Sequence, residues 1–446
     1  MNNHWLIKDA TLVSDGRAWS GDLRIRAGRI EAIGPDLAAR ADEQVMAAHG
    51  RHLLPGMIDD HVLFREPGFP HKGDLASESA AAAAGGITSF MDMPNTDPPT
   101  LDRARLDDKY ARAAGRVFGN YGFYMGASND NLEHIKAIDP TTTPGVKVFM
   151  GASTGNMLVD DPAVLDGIFA SAPTVIITHC EDTPTIQRNM EAARARHGDG
   201  AIPVGEHPII RSREACIAST RLAMALARRH RARLHVLHIS TADELDLFEP
   251  GPMDGKLITA ETCVHFLHFS DADYARLGTL IQCNPAIKTG ADRAALIAAV
   301  GDGRIDILAT DHAPHTREEK ARPYPTSPSG LPLVQYALVC ALEHVHDGAF
   351  DLPLLVERIC HAPARRFGVQ GRGYLREGDH ADLVLVDLQQ PTMVEPGAVL
   401  GRCGWSPFEG SRFRSSIAAT WVNGHLAWDG RALHPQPAGQ RLAFAG

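Results

Sequence analysis

Short apolar runs separated by helical stretches fill the middle of the chain. GITSFMD, YGFYMG, GVKVFM, TVIIT, RLHVLHI, KLITAET, LIQCN and IDILAT read as strands, and LASESAAAAAG and REACIASTRLAMALARRH as helices. Brief continuous apolar runs suit strands covered on both faces, and strand–helix alternation predicts a parallel sheet. Seven or eight such units over about 300 residues favour a closed (β/α)8 barrel over an open doubly wound sheet. The ends are patterned differently. In DLRIRAGRIEAIG, Leu23, Ile25 and Ala27 alternate with Arg24 and Arg26 before a turn at Gly28, a period of two. Near the other end ADLVLVDL reads as a strand, and Asn423-Gly424 in TWVNGHLAWDG as a hairpin turn. The expected organisation is α/β: a barrel over 56–370 beside a small sandwich-like β-domain, built jointly from 1–55 and 371–446. Thr316–Gly330, rich in Pro and charge, is expected to be a long loop following the last strand, placed to close over a substrate.

Composition narrows the function classes. Of 446 residues, 44% are hydrophobic and 22% charged, enough for a large core and against wholesale disorder. Lys and Arg number 44 against 54 Asp and Glu, a formal charge of -10, which argues against nucleic acid or an anionic membrane as the main partner. No apolar run approaches the ~18 residues of a membrane helix. MNNHWLIKDATLV lacks the pattern of a secretory signal. The cysteines at 180, 216, 263, 283, 340, 360 and 403 form no CxxC pair, so a reduced, cytoplasmic protein is expected. Neither G-x-G-x-x-G nor G-x-x-x-x-G-K-[ST] follows a strand, so no dinucleotide or P-loop site is expected. Histidine stands out, with 22 residues.

Polar residues recur where the strands should end. His61 follows MIDD, Asn95 closes SFMDMPN, Lys147 lies in GVKVFM, His179 ends VIITH, His238 ends LHVLH, Asn284 ends IQCN and Asp311 ends ILATD. In a (β/α)8 barrel those ends surround one active-site mouth. Three His, one Asp and one Lys converging there point to a hydrolytic metal site, since imidazole and carboxylate suit Zn2+ and similar ions. Each residue also has a plainer reading. A lone His can be a hydrogen-bonded structural residue, Lys147 half of a buried ion pair, and Asp311 a helix cap. Recurrence at strand ends favours the metal.

The motifs PGMIDDHVLFREPG, MDMPNT, GVKVFMGASTGNMLVD, THCED, LHVLHIS, IQCNPAIK, ATDHAPHT and RCGWSPFEG, in this order, resemble the dihydroorotases of the amidohydrolase superfamily. The resemblance implies a (β/α)8 barrel with a small β-domain from both termini. It implies cyclisation of carbamoyl aspartate to dihydroorotate, reversibly, in pyrimidine biosynthesis. Two zinc ions would be bridged by a carboxylated Lys147, with His61, His179, His238 and Asp311 as the other ligands and Asp311 shuttling the proton. Arg65, Asn95, Asn284 and His315 match residues that bind the substrate, and His265 could orient a ligand from behind or be a core histidine. Arg65 separates this pattern from allantoinases, which tend to carry Asn there, and from hydantoinases, which lack the carboxylate clamp. A homo-oligomer, dimer or tetramer, is expected. Cys180 is expected to be a small buried residue.

One position departs from the family's H-x-H: the chain reads His61-Val62-Leu63. Residues i and i+2 of a strand share a face, so Leu63 should point where the second imidazole belongs. Either His61, a Lys147 carbamate and Asp311 still hold the first metal, an ordinary three-ligand site, or that metal is lost and the chain is a non-catalytic homologue. Another cyclic-amide hydrolase, an allantoinase or hydantoinase, is the remaining alternative.

Overall fold

A computed structural model describes residues 3–151, 157–198 and 202–446. The stretch ASTGN of the GVKVFMGASTGNMLVD motif lies outside the described residues. The chain opens with five strands, β1 (Trp5–Ser14), β2 (Arg17–Arg26), β3 (Arg29–Gly34), β4 (Gln44–Ala47) and β5 (His52–Pro55). Barrel strands follow: β6 (Met57–Val62), β7 (Ile87–Asp92), β8 (Asn120–Phe123), β9 (Met125–Gly126), β10 (Val146–Phe149), β11 (Ile176–His179), β12 (Leu234–Val236), β13 (Ile258–Cys263) and β14 (Ile307–Ala309). The chain returns through β15 (Leu383–Asp387), β16 (Thr392–Met393), β17 (Arg412–Phe413), β18 (Ser416–Val422) and β19 (His425–Trp428).

The barrel closes through parallel ladders. β6, β7 and β8 form one sheet and β9 to β14 another. β8 and β9 are one strand interrupted at Tyr124, which joins the sheets on one side. On the other, Leu63 N–H donates to the His312 carbonyl at 2.7 Å beside a parallel bridge between Val62 and His312. Eight staves result, with helices between them. One is α1 (Leu75–Ala84), whose N-cap Asp74 and Ser77 form a capping box and whose run of alanines lets it lie flush against the barrel. Another is α2 (Arg213–His230), which starts at the Ser212 cap and buries Ala215, Cys216, Ser219, Thr220, Ala223, Met224, Leu226 and Ala227, one stripe at helical spacing.

The small sheet interleaves both ends of the chain in the order β19-β18-β15-β5-β1-β2-β3, with β4 also on β1. Its core contains Trp5, Ile7, Leu12, Leu23, Ile25, Leu53, Leu383, Leu385 and Trp421. Asn423 and Gly424 both have positive φ (48° and 77°), the backbone a two-residue hairpin needs. A buried knot ties this sheet to the barrel. Arg372 contacts the Asp382 carboxylate and donates to Asn423 Oδ1 at 2.8 Å, while Asn120 on β8 donates to Asp382 at 3.0 Å.

Three expectations need correction. LIQCN is no strand: it is a 3-10 turn, Gly278–Ile281, followed by a loop. β13 pairs directly with β14 (Glu261 opposite Ile307), leaving no slot between them, and Gln282 bonds instead to the backbone of Ser327 and Gly330. Ala27 is a turn residue with φ 51° rather than a strand residue, and Arg24 is buried, its Nε 2.6 Å from Glu43. The segment Thr316–Gly330 contains one helical turn, Arg317–Lys320, within its loop. The fully buried Lys320 amine pins it by donating to the carbonyls of Gln282 and Pro328.

Candidate active site at the barrel mouth

The strand ends point the anticipated side chains into one cavity of about 290 Å3. His61, Arg65, Asn95, Lys147, His179, His238, Asn284, Asp311 and His315 all line it, with Leu63, Met93, Phe149 and the loop residues Pro328, Ser329 and Gly330. His265 is fully buried outside that lining. The Thr310 backbone faces its ring without a well-formed hydrogen bond, and burial lowers its pKa to about 4.

Local irregularities aim the key residues. The β6–β7 ladder skips between Asp59 and Val62. The Asp59 carboxylate locks that bulge by accepting from Thr310 Oγ1 at 2.6 Å and from the amide of His61 at 3.3 Å. Asp311 lies between two anchored neighbours. Thr310 is held by Asp59, and His312 by Glu78 through Nε2 at 2.8 Å. Asp311 has φ 52°, and His238 and Arg65 have φ 42° and 70°. Each left-handed non-glycine residue costs about 1–3 kcal/mol and persists where its surroundings over-determine it.

The imidazoles sort into two groups. His61 Nδ1 meets Glu261 Oε1 at 2.8 Å, leaving Nε2 3.1 Å from Asp311 Oδ1. Burial opposes a charge on His61, but Asp311 and Glu261 outweigh it and push its pKa up to about 10. His179 Nε2 is held by Glu181 at 2.8 Å, so its Nδ1 faces His238 Nε2 at 2.9 Å. Burial lowers the pKa of both, keeping them neutral. A carboxylate behind each of His61 and His179 fixes which nitrogen faces the cavity, the usual support of a metal-binding imidazole. His179 Nδ1 and His238 Nε2, which share one proton across 2.9 Å, form beside the His61–Asp311 pair a donor set that fits metal ions once that proton leaves.

The Lys147 amine has no hydrogen-bond or ion-pair partner among the described residues, and its Nζ lies 4.6 Å over the Phe149 ring. Burial lowers its pKa to about 8, against Asp311 and Glu261, which favour the charged form. The plainer reading, a buried ion pair, is not what the geometry shows. Leu63 lines the cavity and packs against the apolar filling of the barrel, as its i+2 spacing from His61 predicts.

One wall of the cavity carries Arg65 and His315, with Lys72 behind His315 and paired to Glu319 at 3.3 Å. Lys72 Nζ lies 3.1 Å from His315 Nδ1, and His315 Nε2 lies 3.0 Å from the Ser329 carbonyl. The tautomer satisfying both carries its proton on Nε2. Arg65 Nη2, 3.1 Å from that same Nε2, then finds no acceptor there. Of five guanidinium N–H groups, only Nε–H is engaged among the described residues, by the Pro314 carbonyl at 3.1 Å. His315 stays neutral because burial and the cations Arg65, Lys72 and Lys320 drive its pKa far down. The side-chain oxygens of Asn95 and Asn284 are buried without partners.

Sequence reading missed Glu181 and Glu261. Glu181 sits two residues after His179 within THCED, a visible signal; Glu261 meets His61 only through barrel closure. Cys180 is buried against Thr178, and burial pushes its pKa to about 11, as an inert core thiol requires.

A family model described as "Amidohydrolase family" matches residues 52–427. The chain is 36% identical to a dihydroorotase of Halobacterium salinarum, over 95% of this chain and 96% of that protein. It is 29% identical to an allantoinase of Deinococcus radiodurans over 98% of each. Among solved structures, the L-hydantoinase (dihydropyrimidinase) from Arthrobacter aurescens superposes with a TM-score of 0.92 at 26% identity, covering 98% of this chain and 99% of that one. These relatives act on different rings but match along nearly the whole chain, and with the family model spanning barrel and mouth, this protein is a member of the amidohydrolase family, a cyclic-amide hydrolase.

Proposed function

We propose that the chain is a dihydroorotase, interconverting carbamoyl aspartate and dihydroorotate in the cytoplasm for pyrimidine biosynthesis. The observation that carries this reading is Arg65: a guanidinium at the cavity wall with four N–H groups uncommitted among the described residues, beside a neutral His315. A planar fork of that kind suits a carboxylate, which dihydroorotate has and neither hydantoin nor allantoin has. The buried side-chain oxygens of Asn95 and Asn284, without partners among the described residues, offer acceptors for the ring's N–H groups.

His179 and His238 would hold one zinc ion and His61 and Asp311 the other, with Lys147 between them as a carbamate formed when its amine adds CO2 and releases a proton. Zinc there supplies Lewis acidity toward the ring carbonyl and an activated water. Asp311 accepts the proton of the attacking water and returns it to the leaving nitrogen, so that the ring opens without a free amide anion. Glu181 and Glu261 hold the imidazoles in orientation, and the Pro328–Gly330 wall limits water entry.

The test is hydrolysis of dihydroorotate, hydantoin and allantoin by protein reconstituted with zinc and bicarbonate, with metal content read on the same sample. Dihydroorotate is expected to give the highest kcat/KM. Preference for either other ring would overturn the substrate reading. No turnover by fully loaded protein would leave a non-catalytic homologue.

A further inference from the structure

We propose that the barrel interior contains a cation site of its own, distinct from the mouth, in which Asp60, His235 and Glu261 bind one divalent ion of the zinc type. The three residues come from β6, β12 and β13 and lie one step toward the N-terminal ends of the strands from the mouth. All three are completely buried. One ligand atom from each lies within 4.8 Å of the others.

The spacing fits an ion better than hydrogen bonds. His235 Nε2 is 3.4 Å from Asp60 Oδ2 and 3.6 Å from Glu261 Oε2. Charge-assisted N–H···O bonds are about 2.7–2.9 Å long. Ligands arranged tetrahedrally around zinc at about 2.0–2.2 Å stand roughly 3.3–3.6 Å apart. Both Asp60 oxygens, Glu261 Oε2 and His235 Nε2 have no hydrogen-bond partner among the described residues. Buried carboxylate oxygens without partners cost several kcal/mol.

The far side of each ligand is already engaged. Glu261 Oε1 accepts from His61 Nδ1 at 2.8 Å. His235 Nδ1 is 2.8 Å from Thr259 Oγ1, whose hydroxyl donates to the Leu234 carbonyl at 3.4 Å. With Nδ1–H donating to that hydroxyl, His235 Nε2 turns a lone pair toward the two carboxylates. In that tautomer three acceptors face one another, and a cation between them would satisfy all three. A dication reaches both carboxylates and the imidazole at once, whereas one N–H on His235 Nε2 can be given to only one of the two carboxylates.

The mouth is disabled to isolate this site, with Lys147→Ala, His179→Asn and His238→Asn combined. The metal-stripped variant is equilibrated with zinc, gel-filtered and analysed for metal, with circular dichroism as the check on folding. One zinc per chain is expected, with a zinc-dependent rise in Tm, and both should disappear when Asp60→Asn is added. A folded triple variant retaining no zinc would overturn the proposal in favour of a protonated His235, as would zinc retention indifferent to Asp60→Asn. Should the triple variant fail to fold, the full chain and its single Asp60→Asn variant are compared: a stoichiometry lower by one zinc supports the site, and an equal stoichiometry refutes it.

Discussion

Arg65→Lys is the sharpest perturbation of the proposed substrate. The wild-type guanidinium spends its Nε–H on Pro314 and keeps four N–H groups, enough for a two-point contact with a carboxylate. Lysine retains the charge but cannot form a planar fork, so at least one charge-assisted bond is lost. That bond contributes about 1.5–3 kcal/mol, and at about 1.4 kcal/mol per decade kcat/KM for dihydroorotate should fall roughly 10- to 150-fold. Arg65→Met, which leaves the carboxylate unpaired against the wall, should cost about 2–5 kcal/mol, or roughly 30- to several-thousand-fold. Dihydrouracil, the same ring without the carboxylate, is the control and should change less than about threefold in both variants, because it never uses the fork. The assay is steady-state ring opening by zinc-loaded proteins of equal metal content. Equal losses on both rings would show that Arg65 supports the mouth rather than reading the substrate, and unchanged dihydroorotate turnover in Arg65→Lys would remove the carboxylate argument altogether.

Other consequences can be checked separately. Lys147→Ala should lower metal content and reduce activity more than ~100-fold, beyond the loss typical of residues that only support a ligand; in the wild type, native mass spectrometry should show one added CO2 that acid removes. Burial pushes the pKa of Glu181 up, but Arg211 and His179 outweigh it and hold it at about 2, below its ordinary 4.5. Its contribution to stability, on the order of 3 kcal/mol, is present in full above pH 4.5 and lost as pH falls through about 2, so unfolding of metal-free Glu181→Gln should show a shallower acid limb than wild type in that window. Asp382→Ala strands Arg372 in the knot between barrel and sheet and should cost about 3–5 kcal/mol, a drop in Tm of about 3–5 °C for a chain of this length. Leu63→His should raise zinc occupancy on the His61 side at limiting metal, read by metal analysis; unchanged occupancy would mean that Leu63 is not what limits that position.

The architecture was legible because covered strands and amphipathic helices carry distinct periods. ITSFMD and the stripe in Arg213–His230 are where the pattern places them, and Asn423-Gly424 turns as its backbone preferences require. LIQCN misled because a short apolar run suits a buried loop as well as a strand; Pro285, which lacks an N–H for a ladder, was the contrary signal. Strand-end residues gathered as expected because the barrel imposes one mouth on them. Their supports were harder to see. Glu261 lies 200 positions from His61, so nothing local marks the pair. Asp60 read as part of a strand, although an aspartate beside Asp59 in a fully covered stave needs a partner that only the closed barrel can supply.

The departure at Leu63 acquires a physical meaning once both halves of the mouth are compared. His179 and His238 face each other across 2.9 Å, with Glu181 fixing the first ring, so that pair is preorganised without help from β6. On the other side, His61 and Asp311 stand 3.1 Å apart, and Leu63, which offers no ligand atom, lines the cavity with them. On the proposed reading the two metal positions are therefore unequal. The His179–His238 position takes metal first, and the His61–Asp311 position depends on the Lys147 carbamate as its third protein ligand. Three protein ligands with an open fourth place describe a catalytic rather than a structural zinc site. On that reading the leucine would weaken retention at that position, and metal supply and CO2 together would set the conditions for activity.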